Sequence, residues 1–236
     1  MRPAVIWRIA VTLTVIVATE TLVCAAAAAP VVAVWFWCAT RLANLGPIAS
    51  VAIVSVALAP SYVAFALLLM PVSAFGTWIT RARTPPNVEI RIADYSWPLM
   101  TWVRYGAATH LVRVVAGALF RGSPLWSMYL RINGAHIGRR VYVNTTSISD
   151  HNLLAFDDDV VVGADVHVSG HTVEAGVLKT GRVRLGRGAT IGLGTLVDID
   201  TDVGERCQVG ALSVVPKHAR LAPNSTYAGA PVTRLK

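Results

Sequence analysis

The chain has 236 residues, a formal net charge of +8 and 54% hydrophobic residues, a composition too apolar for a purely soluble protein. Its cysteines, Cys24, Cys38 and Cys207, form no CxxC pair, which argues against a thiol-redox or cysteine-zinc motif. The positive charge is concentrated in residues 81–140, with nine arginines against two acidic residues. No aromatic-interleaved basic patch of the nucleic-acid-binding type stands out, so we expect anionic lipid headgroups and no nucleic acid as partners.

Two apolar stretches dominate the N-terminal part. Residues 4–29 and 47–79 are each long enough to cross about 30 Å of hydrocarbon, although Pro60 and Pro71 interrupt the second. A cleaved signal peptide is the alternative for the first, but that stretch is too long and a second one follows it. Arginines flank the outer ends of the pair, which predicts a multi-pass hairpin in the inner cell membrane with both ends cytoplasmic.

Residues 96–121 predict a juxtamembrane helix. Ser96 is a candidate N-cap, Pro98 suits the first turn, and Gly122 and Pro124 end the run. Tryptophans accompany arginines along it, which is typical of a helix at a bilayer surface. Packing against the end of the following domain is the alternative.

A period of six residues runs without a gap through residues 185–214. Each of its five units begins with Leu, Ile or Val, and glycine follows in four of them. A period of six is neither helical nor a two-residue strand alternation. Three short strands in each turn of a parallel β-helix explain it, with the aliphatic residue inward and glycine at the corner. Imperfect units extend the repeat back to Ile132 and predict a mainly β prism of four to five coils ending near Val215.

Two segments break the period, one near residues 149–154 and a larger one at residues 174–184. A solenoid accommodates insertions only as loops on its outside, and such loops often carry the binding or catalytic residues. We therefore expect the chemistry at the interruptions.

His171 directly precedes the larger loop. We expect Glu174, three residues on, to orient the imidazole and stabilise its charged form, so that His171 acts as a general base on a hydroxyl or amine. A hydrogen-bonded corner histidine beside a solvated Glu174 is the alternative. His167 could share a metal with His171, but there is no clear third ligand, and we predict no metal.

Four further residues are candidate substrate contacts. Lys179 and Arg182 lie in the larger loop and could contact an anionic donor or a developing oxyanion. Lys217 lies where the last coil ends and could bind the phosphates of a donor such as coenzyme A, whereas His151 lies in the first interruption. The alternative for Lys179, Arg182 and Lys217 is that they are exposed surface charges that bind no ligand.

The six-residue repeats and the ending YAGAPV resemble the hexapeptide-repeat acyltransferases. That family implies a left-handed parallel β-helix, commonly a homotrimer with active sites between subunits.

A closer resemblance covers residues 74–231. The segments RGSPLWSMYLRINGAHIGRRVYVNT, SISDHNLLAFDDDV and GHTVEAGVLKTGRVRLG are similar to the membrane-embedded terminal region of non-ribosomal peptide synthetases of the poly-lysine synthetase type. There, such modules alternate with membrane helices and are implicated in amide-bond formation on a carrier-bound aminoacyl group. The family's loop reads His-x-x-Glu-Asp with a Lys shortly after; His171, Glu174 and Lys179 match, whereas Ala175 departs from it.

Together these features predict a transmembrane anchor (residues 1–83), a juxtamembrane helical linker (84–131) and a cytoplasmic β-helix with a C-terminal tail (132–236). The predicted function is acyl or aminoacyl transfer to a hydroxyl or amine. The donor would be acyl-CoA or a phosphopantetheine-carrier thioester, with no bound cofactor, and the acceptor a small molecule or a lipid-linked one. A non-catalytic trimeric membrane scaffold and a metal-dependent hydratase are the alternatives.

Overall fold

The computed structural model describes residues 2–42 and 44–235. Its N-terminal part is helical and its C-terminal part is a β prism. The helices are α1 (Pro3–Leu42), α2 (Pro47–Ile79), α3 (Trp97–Val112), a π-helical turn (Arg113–Gly117), α4 (Ala118–Phe120) and α5 (Pro124–Ile132), with short 3-10 turns at Ile92–Asp94 and His151–Leu153.

Helices α1 and α2 are long and apolar enough to cross a membrane by length and composition, with mean hydropathies of 2.1 and 2.2 in their most apolar windows. Helix α1 exceeds the predicted stretch because it continues through Pro30, whereas α2 has the predicted bounds and runs through Pro60 and Pro71. They lie side by side. Trp35 Nε1 donates to Ser61 Oγ at 3.0 Å, and close packing at Gly76 is typical of paired apolar helices.

The predicted helix at residues 96–121 is confirmed, but it divides into α3, the π-helical turn and α4. Helix α5, which follows, is not predicted from the sequence. Tyr62 Oη of α2 donates to the Val115 carbonyl at 2.6 Å. Trp126 Nε1 of α5 donates to the Thr145 carbonyl in the prism at 3.0 Å. Helix α3, the π-helical turn, α4 and α5 therefore lie between α2 and the prism. This agrees with the alternative in which the predicted helix packs against the end of the following domain.

Three parallel sheets form the faces of the prism, and the chain passes through them in rotation. The first face contains β2 (His136–Ile137), β4 (Leu154–Phe156), β9 (Val183–Leu185), β12 (Thr201–Val203) and β15 (Arg220–Leu221). The second contains β3 (Tyr142–Val143), β5 (Val161–Val162), β10 (Thr190–Ile191), β13 (Gln208–Val209) and β16 (Thr226–Ala228), with β17 (Thr233–Arg234) added antiparallel. The third contains β6 (His167–Val168), β11 (Leu196–Val197) and β14 (Val214–Val215). The fold is thus a parallel β-helix, which begins at His136 and continues beyond the predicted end at Val215.

The interior of the prism follows the six-residue period. The residues that head the clean repeats are at most 2% exposed: Leu185, Ile191, Val197, Val203 and Val209. Cys207 is also fully buried as a small inward residue. Glycine is required where coils stack, because a Cβ atom at Gly192 would lie 2.5 Å from the backbone nitrogen of Ala211. The period therefore encodes the core directly.

The larger interruption is a β-hairpin, and its bounds differ from the prediction. Strands β7 (His171–Glu174) and β8 (Val177–Thr180) pair antiparallel, and the coil resumes at Val183. Outside the prism, β8 also pairs antiparallel with β1 (Glu89–Arg91), which follows α2. The insertion thus starts earlier than residue 174 and ends before residue 184, since His171 belongs to the hairpin and Arg184 to the prism.

Candidate functional site

His171 is the first residue of β7, and its imidazole is paired with the carboxylate of Asp150. His171 Nδ1 lies 2.5 Å from Asp150 Oδ2. Asp150 precedes the 3-10 turn His151–Leu153 and has a left-handed backbone with φ of 54°, which Asp tolerates better than most residues. Both residues therefore lie at the points where the chain leaves the regular coil.

Stacking of successive coils brings these two residues together. Ile148 forms a parallel bridge with Val168 on the next coil, so two residues further on Asp150 lies beside Gly170. A Cβ atom at Gly170 would lie 2.8 Å from the Cβ atom of Asp150, so the approach requires glycine. The two interruptions occur at the same corner of consecutive coils, and this places the carboxylate next to His171.

Asp150 is buried, with 3% of its surface exposed. Its Oδ1 accepts hydrogen bonds from Thr84 Oγ1 at 2.6 Å and Trp102 Nε1 at 3.2 Å. Burial alone would raise the pKa of this carboxyl group, but the hydrogen bond and charge of His171 and the hydroxyl of Thr84 outweigh it, and the pKa is lowered. The group is therefore a carboxylate at neutral pH, with hydrogen bonds on both oxygens.

Further contacts fix the orientation of His171. Its backbone nitrogen donates to Ser169 Oγ at 3.2 Å, and Ser169 Oγ donates to the His171 carbonyl at 2.7 Å. The Trp102 ring meets the imidazole edge-on, with centroids 5.0 Å apart. Because Nδ1 faces a carboxylate acceptor, we assign the proton of the neutral ring to Nδ1, which leaves Nε2 as the proton acceptor. The side chain is 28% exposed, so the ring is both held and accessible.

An open groove of about 440 Å³ lies against His171. One wall is α3 and the other is formed by Ile148 and Ser149 of the prism. Besides His171, the groove lining includes His110 and Arg113, whose Nδ1 and Nη2 atoms are 2.6 Å apart. The described residues that line the groove include no Asp or Glu. The groove therefore suits a molecule that carries negative charge.

Glu174 does not contact the imidazole of His171, contrary to the expectation from spacing. It lies at the other end of β7, and residues three apart on an extended strand are about 10 Å apart on opposite faces. Its carboxylate instead pairs with Lys217 and, at 3.5 Å, with Lys179. Its hydrogen bond with Lys217 is the main reason that the pKa of Glu174 is lowered. Asp150 occupies the position beside the imidazole that was predicted for Glu174.

The predicted cationic contacts lie along the hairpin and the adjacent coil, away from the groove lining. Lys179 on β8 pairs with Glu174 and, at 3.8 Å, with Glu89, and Lys217 follows β14. Both cations therefore already have acidic partners within the protein. Arg182 is exposed just before β9, and among the described residues its side chain has no polar partner.

His151 is a core residue rather than a substrate contact. It is 2% exposed, and Tyr105 and Tyr129 pack edge-on against its ring. Asn133 Nδ2 lies 3.1 Å from its Nδ1. Burial lowers the pKa of His151 to about 4, so the ring is neutral. The 3-10 turn directs His151 into the core while Asp150, one residue earlier, reaches His171.

No group of three or more His, Cys, Asp or Glu side chains that could hold a metal ion is found in residues 2–42 and 44–235. His167 lies on β6, and its pKa is lowered by burial and by the nearby charges of His171 and Arg113. The carboxylate of Asp198 acts in the opposite direction, and no third possible metal ligand joins His167 and His171 among the described residues.

Five residues of the site are not predicted from the sequence: Asp150, Thr84, Trp102, His110 and Arg113. The signal for Asp150 was present. Both interruptions follow a unit that ends on the third face, so alignment of Ile148 with Val168 places Asp150 over Gly170. Thr84, α3 and the π-helical turn carry no comparable signal, because the period of the prism does not extend to them.

No family model matches the chain. The chain is 25% identical over 158 residues to a delta-poly-L-ornithine synthetase from Acinetobacter baumannii (strain AB307-0294), and the match covers 65% of this chain but 11% of that protein. The chain thus spans about a tenth of the length of this curated relative. The resemblance to a poly-amino-acid synthetase that the sequence indicates is confirmed by this match.

Solved structures similar to the chain include two acetyltransferases. A serine acetyltransferase from Neisseria gonorrhoeae is 13% identical, with a TM-score of 0.44, over 74% of this chain and 55% of that one. A maltose O-acetyltransferase from Clostridium difficile 630 is 18% identical, also with a TM-score of 0.44, over 57% of this chain and 86% of that one.

Proposed function

We propose that the protein is a membrane-anchored acyltransferase in which His171 is the general base. The observation that carries the proposal is the 2.5 Å contact between Asp150 and His171, on a partly exposed imidazole that lines an open groove. A buried carboxylate that holds Nδ1 leaves Nε2 as the base and stabilises the imidazolium when it forms.

In the proposed reaction, the acceptor hydroxyl or amine gives its proton to Nε2 of His171 while its oxygen or nitrogen attacks the thioester carbonyl carbon. A tetrahedral oxyanion forms and then collapses as the carbon–sulfur bond breaks. The departing thiolate takes the proton from the imidazolium, which regenerates the neutral base. Asp150 remains ionised throughout and favours the charged intermediate state of the ring.

The charges of the groove support an anionic co-substrate, either acyl-CoA or a carrier-protein phosphopantetheine thioester. Arg113 and His110 line the groove, and we assign them the first contact with the phosphate groups of the co-substrate. Arg182 is a further candidate because it lacks an internal partner among the described residues. Lys179 and Lys217 contribute less, since Glu174 pairs with both. The acceptor is a small or lipid-linked molecule, and the poly-ornithine synthetase relative favours an amine.

For the assembly, we propose a left-handed β-helix, a homotrimer and a multi-pass position in the inner membrane with the prism cytoplasmic. The two long apolar helices support membrane insertion. Arg81 and Arg83, directly after α2, support the cytoplasmic side for the prism.

The non-catalytic scaffold is the second candidate, and the position of His171 distinguishes the two. A histidine that served only the fold would be expected to be enclosed, as His151 is at 2% exposure, whereas the His171 side chain is 28% exposed in a groove. A metal-dependent hydratase is disfavoured because the cation Arg113 lines the same groove as His171.

The experiment is thiol release from acetyl-CoA by detergent-purified protein, with a panel of amine and hydroxyl acceptors. His171→Ala should lower turnover by about 100-fold or more, the range of general-base catalysis. His136→Ala, an exposed histidine on β2, is the matched control and should retain turnover. Equal turnover in His171→Ala and the parent protein would reject the proposal.

A further inference from the structure

A second cleft, of about 510 Å³, lies where the end of α2 meets α3 and α5. Its lining residues include Ala74, Phe75, Trp78, Arg83, Tyr105 and Ile132. It shares no lining residue with the groove at His171. It is therefore a separate site, at the end of an apolar helix long enough to cross a membrane.

One side of this cleft is apolar and open. Phe75, Trp78 and Ile132 are 58%, 63% and 46% exposed, and the Phe75 and Trp78 rings stack with centroids 5.7 Å apart. Aromatic side chains at the end of an apolar helix are typical of the membrane interface. The outer wall can thus hold a hydrocarbon chain.

The inner side of the cleft is polar and rigid. Tyr105 is 1% exposed, and its hydroxyl donates to the Asn133 carbonyl at 2.9 Å. Thr77 Oγ1 donates to Asn133 Oδ1 at 3.2 Å. These hydrogen bonds join α2, α3 and α5, so the helices that form the cleft are fixed relative to one another.

The charge of the cleft is positive. Arg83 is exposed, and among the described residues its guanidinium has no hydrogen-bonding or ionic partner. The described lining includes no Asp or Glu. A guanidinium without an internal partner, next to an apolar wall, is complementary to a phosphate group attached to a hydrocarbon chain.

We infer that this cleft binds one membrane phospholipid with an anionic headgroup. Its phosphate lies against Arg83 and one acyl chain lies along Phe75, Trp78 and Ile132. The inference does not depend on acyl transfer at His171, because the two sites share no lining residue and the lipid is bound without being changed.

The test is native mass spectrometry of delipidated full-length protein in detergent, titrated with phosphatidylglycerol or phosphatidylcholine. We expect one phosphatidylglycerol per chain, bound at least about tenfold more tightly than phosphatidylcholine. Arg83→Gln should weaken phosphatidylglycerol about tenfold, the effect of losing one charge-assisted hydrogen bond. Ile132→Glu, which places an acid at the mouth of the cleft, should weaken it further.

Two matched controls separate the site from general charge and helix effects. Arg187→Gln removes an exposed arginine on the prism, and Leu125→Glu adds an acid to an exposed position of α5 outside the cleft lining. Both should bind phosphatidylglycerol like the parent protein, and size-exclusion profiles should show that all variants are folded.

Equal binding of the two lipids, or equal loss in the control and site variants, would overturn the inference. So would competition by inorganic phosphate at millimolar concentration, since the cleft would then be a site for a free anion rather than a lipid.

Discussion

Asp150 Oδ2 and His171 Nδ1 lie 2.5 Å apart although 21 residues separate them in the chain. One whole turn of the prism lies between them, and the pair forms because the chain leaves the coil twice at the same corner. Oδ1 of the same carboxylate is held by Thr84 and Trp102. The position of the imidazole thus depends on the prism, on α3 and on the segment that follows α2.

Asp150→Asn should lower acyl-transfer turnover by about 100-fold or more while the protein stays folded. The Asn Oδ1 can still accept from Thr84 and Trp102, but its NH₂ group would face His171 Nδ1 and favour the tautomer that carries the proton on Nε2, which is no longer a base. Both the turnover rate and its pH profile should change. Unfolding alone would lower the rate without changing the pH profile, so the profile distinguishes loss of positioning from unfolding. Asp157→Asn, at a carboxylate paired with Arg184 on the prism surface, is the control. Similar turnover in both variants would contradict the role of Asp150.

His151 should make the stability of the protein depend on pH between 6.5 and 4. The pKa of this histidine is lowered by burial from 6.5 to about 4 in the folded protein, so between these values the unfolded chain binds more protons. The contribution of His151 is fully present above pH 6.5, and the free energy of unfolding falls by about 3 kcal/mol as the pH falls to 4. Chemical unfolding at several pH values measures this slope.

His151→Asn should unfold more easily at neutral pH, yet its stability should decrease less between pH 6.5 and 4. His136→Asn, at an exposed histidine, should keep the slope of the parent protein. An unchanged slope in His151→Asn would show that other groups cause the pH dependence.

Gly106 offers a way to close the groove without disturbing the fold. It is exposed on α3, and a Cβ atom there would meet nothing within 4 Å. Gly106→Ala should stabilise the protein by up to about 1 kcal/mol through helix propensity and leave turnover nearly unchanged. Gly106→Phe should keep a similar melting temperature but lower turnover at least about tenfold, because the ring occupies the groove beside His171. Full activity in Gly106→Phe would place the substrate elsewhere.

Glu174→Gln should have a small effect, in contrast to Asp150→Asn. The Glu174 carboxylate is partly exposed and bonds to two lysines at the far end of β7, and exposed ion pairs contribute little to stability. We expect the melting temperature to stay within about 2 °C of the parent value and turnover to change by less than about threefold. A loss comparable to that of His171→Ala would restore Glu174 to the catalytic role that its spacing suggested.

The regular part of the fold could be predicted because one rule governs every inward position. Ile191, Val197 and Val203 head successive units, and all are buried. The rule applies to each unit separately, so it needs no knowledge of the rest of the chain. The prism is therefore encoded locally.

The candidate site could be predicted only in part, because its residues come from separate elements. The sequence predicts His171 because it borders an interruption. It indicates Glu174 as the partner, but an extended strand cannot return that side chain to the ring. The prediction of His151 is one residue away from Asp150, because the sequence does not show which way a 3-10 turn faces. Trp102 of α3 and Arg113 of the π-helical turn reach the site through helix packing, which no periodic pattern specifies.

The short strand β1 has a consequence for where the protein can work. It begins at Glu89, ten residues after α2 ends at Ile79, and it shares a sheet with the hairpin that starts at His171. A fully extended chain of that length spans at most about 35 Å, and Thr84 is bonded to Asp150 part-way along it. The segment therefore limits the distance between the end of α2 and β1. If α2 is anchored in the bilayer, His171 stays at a limited distance from the membrane surface, and substrates must reach that surface to react.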